Sequence, residues 1–62
     1  MKLWIARDKN GGLYLHFDKP TTDYGKCYFT SMRAVVISRD LFPDVTFENS
    51  PQMVELKLVK EE

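Results

Sequence analysis

The stretch Lys2–Asp18, "KLWIARDKNGGLYLHFD", constrains this chain more than any other. Two runs rich in β-branched, aromatic and aliphatic residues flank Lys9-Asn10-Gly11-Gly12, a composition that reads as a β-hairpin. A three-residue loop Lys9-Asn10-Gly11, with the glycine in the left-handed region, pairs Asp8 with Gly12. Leu3 then faces Phe17, Ile5 faces Leu15 and Arg7 faces Leu13, which gathers the aliphatic side chains on one face. Trp4 faces His16 and Ala6 faces Tyr14 on the other. A two-residue Asn10-Gly11 loop would instead group Trp4, Ala6, Leu13, Leu15 and Phe17, and pair Ile5 with His16. A one-step slip exchanges the faces, so the two registers make different claims. The first collects the aliphatics more cleanly and is preferred.

Downstream, "DKPTTDYGKC" is a polar connection punctuated by Pro20 and Gly25. Strands are expected at about 26–30, where Cys27 and Phe29 alternate with Tyr28, and at about 33–38. The β-branched run Val35-Val36-Ile37 disfavours a helix in the second. In "SRDLFP", Ser38 can cap at most one helical turn over residues 38–42, and Pro43 stops it. Leu41 and Phe42 are too close in sequence to form a helical stripe, and are expected to plug an open end of the core. The remainder, "DVTFENSPQMVELKLV", reads as a core-closing hairpin around a turn at Asn49–Gln52. Glu48 would pair with Met53, Phe47 with Val54 and Val45 with Leu56, and Val54, Leu56 and Leu58 would point inward. The terminal "KEE" reads as solvated and frayed.

These elements predict an all-β fold in a single domain over residues 1–62: a small meander of about five short strands, as a curled sheet or an SH3-like small barrel. At 62 residues the chain lies near the lower limit for autonomous folding. Cys27 is the only cysteine, so no intrachain disulfide can reinforce it. With His16 as the only histidine, no metal-ligand pattern exists and no cofactor is expected. Good packing or self-association must therefore supply the stability.

Nine basic and nine acidic side chains cancel, so no global field steers the protein toward nucleic acid or an anionic membrane. The N-terminal residues leave no room for a signal-peptide core, and no apolar run is long enough to span a bilayer. A cytoplasmic location is the expectation, compatible with a lone thiol.

The sequences "LWIARDKNGGLYLHFDKP" and "LFPDVTFENSPQMVELKL" together resemble a set of short proteins of anaerobic gut bacteria and their mobile elements. The resemblance covers about two-thirds of the chain and omits Thr21 to Arg33. It implies a small β-rich cytoplasmic protein; that set has no established activity, so no residue role carries over.

Chemistry-bearing residues are sparse. Cys27 and His16 are a conceivable nucleophile–base pair, but nothing in their spacing brings them together. Cys27 reads more simply as a small buried residue alternating with Phe29. The aspartates show no paired-carboxylate spacing, and Gly11-Gly12 serves a hairpin rather than a phosphate loop. Two functional expectations remain for a chain taken to be non-enzymatic. One is a protein-interaction module, associating with itself or with another protein through Trp4 and Tyr14, with His16 at the edge of the patch. The other is a nucleic-acid binder stacking bases on Trp4, Tyr14, Tyr24 and Tyr28, with Lys2, Lys9 and Lys26 meeting phosphates.

Overall fold

Gly11 adopts φ +93°, the left-handed conformation that the three-residue loop requires. The Asp8 amide donates to the Gly12 carbonyl at 2.7 Å, and the Gly11 amide donates to the Asp8 carbonyl at 2.9 Å. The computed structural model, which describes residues 1–23 and 25–57, thus begins with the hairpin expected from the sequence. Strand β1 (Lys2–Arg7) pairs antiparallel with β2 (Leu13–His16), Trp4 opposite His16, Ile5 opposite Leu15, Ala6 opposite Tyr14 and Arg7 opposite Leu13.

Strand β3 (Ala34–Ile37) adds to β2, and β4 (Gln52–Glu55) adds to β1. The result is one antiparallel sheet of four strands in the order β3-β2-β1-β4. The all-β expectation holds in its open-sheet form: β3 and β4 are edges rather than partners, so no barrel closes. No helix is present among the described residues. At Ser38 the chain makes a tight turn, the Leu41 amide donating to the Ser38 carbonyl at 3.1 Å and the Asp40 amide to the Ser38 hydroxyl at 3.3 Å.

Two expected strands do not form. Residues 26–30 contribute only an isolated bridge between Thr21 and Thr30. The Thr22 hydroxyl takes the Tyr28 carbonyl at 2.6 Å, and the Lys26 amide takes the Asp23 carbonyl, so the segment folds back on itself. Cys27 is exposed there, not buried beside Phe29. The closing hairpin of the tail is also replaced. The Thr46 amide donates to Asn49 Oδ1 at 2.7 Å, and the Asn49 amide to Thr46 Oγ1 at 3.2 Å. These reciprocal bonds draw residues 46–49 into a turn, an instance of side chains outcompeting a ladder for the backbone. With its expected partner gone, β4 pairs with β1 instead, Leu3 opposite Val54 and Trp4 opposite Met53. Val54 is half-buried while Leu56 is 58% exposed, so the inward pattern stops at Val54. Leu58 and the terminal "KEE" lie outside the described residues.

Cross-strand partners share a face. One face carries Leu3, Ile5, Leu13, Leu15, Val35, Ile37 and Val54, together with Arg7. Its core is Ile5, Leu13 and Val45, with Leu15, Ile37 and Val54 packed around them. Val45 comes from the turn-rich segment 38–50, and Arg7 holds that segment in place. Its guanidinium donates from Nε to the Val45 carbonyl, from Nη1 to those of Gly11 (2.8 Å) and Arg39 (3.0 Å), and from Nη2 to those of Leu41 (3.0 Å) and Phe42 (3.2 Å). All five N–H groups of the side chain are used. The Arg7 amide donates to the Ser50 hydroxyl, which donates onward to the Thr46 carbonyl. Part of the opposite face, around His16, is overlaid by residues 28–31, with Phe29 buried and its ring 5.5 Å from that of Phe47.

Replacing Arg7 by lysine keeps the charge but supplies three donors on a point ammonium instead of a planar fork of five. The expected cost is about 2 kcal/mol, read from urea or thermal unfolding. A loss within about 0.5 kcal/mol, the range of ordinary surface changes, would show that the carbonyl cluster does not anchor the 38–45 segment.

Candidate functional site

Both sheet faces contribute candidate surfaces, and the hairpin register decides which residues each one holds. On the face opposite the aliphatic core, Trp4 lies between His16 and Met53, and Tyr14 lies between Ala6 and Val36. Tyr14 and His16 are neighbours along β2, with ring centroids 6.3 Å apart. The register therefore brings the three expected residues together. They differ in accessibility: Trp4 and Tyr14 are half-buried, whereas His16 is only 2% exposed. The accessible patch is thus Trp4 and Tyr14 flanked by exposed Met53 and Val36, with His16 buried beside it.

His16 is buried by the 17–31 segment. The Phe29 amide donates to Asp8 Oδ1 at 3.0 Å, and the Lys9 amide to the Cys27 carbonyl at 2.8 Å, pinning that segment to the end of β1. A recess of about 320 Å³ remains, lined by Asp8, Tyr14, His16, Tyr28, Phe29 and Ser31 among others. His16 Nδ1 lies 2.7 Å from Ser31 Oγ, and that hydroxyl donates to the Arg33 carbonyl at 2.9 Å. The serine proton is committed, so its oxygen accepts and the bonding assigns the proton of neutral His16 to Nδ1. Nε2 is left buried without a hydrogen-bond partner. Burial pushes the imidazole pKa below its ordinary value of 6.5, and the nearby Asp8 carboxylate partly opposes this. Cys27 is exposed and does not line the recess, so it is not placed as a nucleophile beside this histidine.

The lysines do not converge into one site. Lys2 opens β1 and Lys9 follows its end, so a six-residue strand, roughly 20 Å long, separates them. Lys9 Nζ lies 5.7 Å from the Phe47 ring centroid. Lys26 pairs with Asp23 at 3.4 Å and sits 5.8 Å from the Tyr28 ring. Lys9 and Lys26 do line a common open depression with Asp23, where the carboxylate offsets one of the two charges. Tyr24, a further aromatic that was expected to stack, lies outside the described residues.

The aliphatic face holds the larger apolar feature. A groove of about 420 Å³ runs between Leu3, Ile5, Leu15 and Ile37 on its floor, Leu41 and Phe42 on one wall, and Val54, Glu55 and Leu56 at the β4 edge. Glu55 is its only ionisable lining residue among the described residues. Leu41 and Phe42, expected as plugs, do reach this face, but each remains 48% exposed because the groove in front of them is unfilled. Phe42 has φ +50°, an uncommon conformation for a bulky residue, costing on the order of 1–2 kcal/mol. Arg7 holds the carbonyls of both wall residues. The adjacent apolar pair before Pro43 signalled this wall in the sequence; the groove itself depends on how segment 38–45 is tethered.

No protein-family model, curated protein or solved structure matches this chain. Among the described residues no helix is long and apolar enough to cross a membrane.

The depressed His16 pKa carries a sign for stability. The unfolded chain takes up a proton near the ordinary histidine pKa, while the folded chain resists it, so stability is full above about pH 6.5 and is lost as pH falls toward the folded pKa. Unfolding measured between about pH 7.5 and 5.5 is expected to show this loss, and His16→Asn, which keeps an amide to meet Ser31, should flatten the slope. An unchanged slope in the variant would assign the pH dependence to other groups.

Proposed function

We propose that this protein is a small non-enzymatic interaction module that associates with a second copy of itself, with the aliphatic groove at the heart of the contact. One observation carries the reading. Six hydrophobic side chains are buried among the described residues, while ten large ones are exposed, and several of the latter border a single concave apolar groove. A contiguous apolar surface on a small domain marks a contact site. A second copy supplies a matching apolar surface through Leu41, Phe42 and Leu56, the side chains that stand outermost around the groove.

The aromatic strip offers a second surface for the same module. Trp4 and Tyr14 are flanked by Met53 and Val36, 60% and 70% exposed, so an apolar band crosses all four strands on that face as well. Base stacking on this band with help from Lys2, Lys9 and Lys26 has less support, because the lysines are dispersed and one is paired. Salt separates the two readings: phosphate contacts weaken steeply with added salt, whereas apolar association does not.

Sedimentation velocity over a wide concentration range is expected to show a monomer–dimer equilibrium that Leu41→Asp shifts to monomer while the far-UV spectrum stays β-rich. A fold-preserving Trp4→Ala variant that abolishes the dimer, with Leu41→Asp silent, would move the contact to the aromatic strip. A monomer throughout would end the self-association reading.

A further inference from the structure

We propose that the recess beside His16 is a binding site for a small organic cation, a primary ammonium carried on a short apolar or aromatic stem. The inference is independent of self-association, because this recess lies on the sheet face opposite the aliphatic groove.

Three features of the recess converge. The first is an acceptor without a donor. His16 is 2% exposed, its Nδ1 is bonded to Ser31, and its Nε2 is buried with no hydrogen-bond partner. Nε2 therefore presents a lone pair that has lost water and gained nothing in exchange. The second is negative charge. Asp8 lines the same recess, and its Oδ1 accepts from the Phe29 amide at 3.0 Å. Among the described residues no cationic side chain pairs with this carboxylate. The third is aromatic surface. Tyr14, Tyr28 and Phe29 are walls of the recess, and ring faces attract cations.

These features select among ligand chemistries. Among the described residues no lysine or arginine lines the recess, so an anion would meet a carboxylate and a lone pair with nothing to balance its charge. A neutral alcohol donates one hydrogen bond and leaves either Nε2 or Asp8 unmet. A quaternary ammonium carries charge but has no N–H to give. A primary ammonium has three donors on a compact charge, and so serves Nε2 and the Asp8 carboxylate together while its stem lies against the rings. The chain uses the same chemistry nearby: Lys26 Nζ pairs with Asp23 at 3.4 Å and sits 5.8 Å from the Tyr28 ring. Because Asp23 matches that lysine, its charge does not cancel that of Asp8.

A recess of about 320 Å³ suits a ligand of modest size, at the lower end of small-molecule sites. Tyr28, 46% exposed, is its outermost aromatic wall and the part that turns aside for a donor to reach Nε2.

Benzylamine, a cation at about pH 7.5, is the probe, with benzyl alcohol as its neutral counterpart. As benzylamine is added, the nitrogen resonance of His16 Nε2 is expected to shift as that atom gains a hydrogen bond, and the Tyr28 ring signals to shift with it. The amine is expected to bind about tenfold more tightly than the alcohol. Asp8→Asn keeps an acceptor for the Phe29 amide, and should weaken benzylamine about tenfold while leaving the alcohol unchanged. Equal binding of amine and alcohol, a silent Nε2, or full benzylamine affinity in Asp8→Asn would overturn the site. If Asp8→Asn does not fold, the comparison of the two probes on the wild-type chain decides alone.

Discussion

The fold depends on one cation that is satisfied by carbonyls. Arg7 lies at the end of the central strand, and among the described residues no carboxylate pairs with it. Its five N–H groups instead collect carbonyls from Gly11, Arg39, Leu41, Phe42 and Val45. The arrangement answers a difficulty of small all-β chains, whose long connections leave backbone groups that no ladder satisfies. Here a planar donor fork takes the place of a strand partner and presses an irregular segment onto the sheet. Val45 reaches the core because its carbonyl is held, and Ile5 and Leu13 are covered because Val45 is there. The groove wall of Leu41 and Phe42 is a product of the same tether.

The two faces of the sheet are covered by different means. On one side a polar excursion, residues 17–31, is pinned through Asp8 and Cys27 and buries His16 and Ala6. On the other, the 38–50 segment covers only one end of the aliphatic surface. Full coverage would need more chain than the two connections provide, so apolar surface persists on both sides, more continuous over the aliphatic floor. The proposed self-association is the physical complement of that shortage.

What the sequence made legible follows from the range of each interaction. The first hairpin could be read to the residue, because of the two registers that Asn10-Gly11-Gly12 allows only one gathers the aliphatic side chains on one face. The partner of β4 could not. "VTFENSPQMVEL" alternates well enough for a local hairpin, and the preference for β1 emerges only once Thr46 and Asn49 have turned the intervening chain. Arg7 read as one more strand residue, since five carbonyl partners from distant positions leave no motif. The Trp4–Tyr14–His16 grouping was legible as a register consequence. The burial of His16 was not, since it comes from a connecting segment with no periodicity.

The strand order also has a consequence in time. β1 is the first strand in sequence and the second from one edge in space, and its two neighbours are won at very different loop-closure distances. The β1–β2 hairpin is local, and hairpins of this kind form in about 1–10 μs. The β1–β4 ladder joins Lys2 to Glu55 and must wait for nearly the whole described chain to be arranged. High contact order of this sort slows folding toward the millisecond range or beyond. During that interval β1, with Leu3, Trp4, Ile5 and Ala6 along it, carries a bare edge, so the refolding yield of this chain is governed by how fast its last strand arrives.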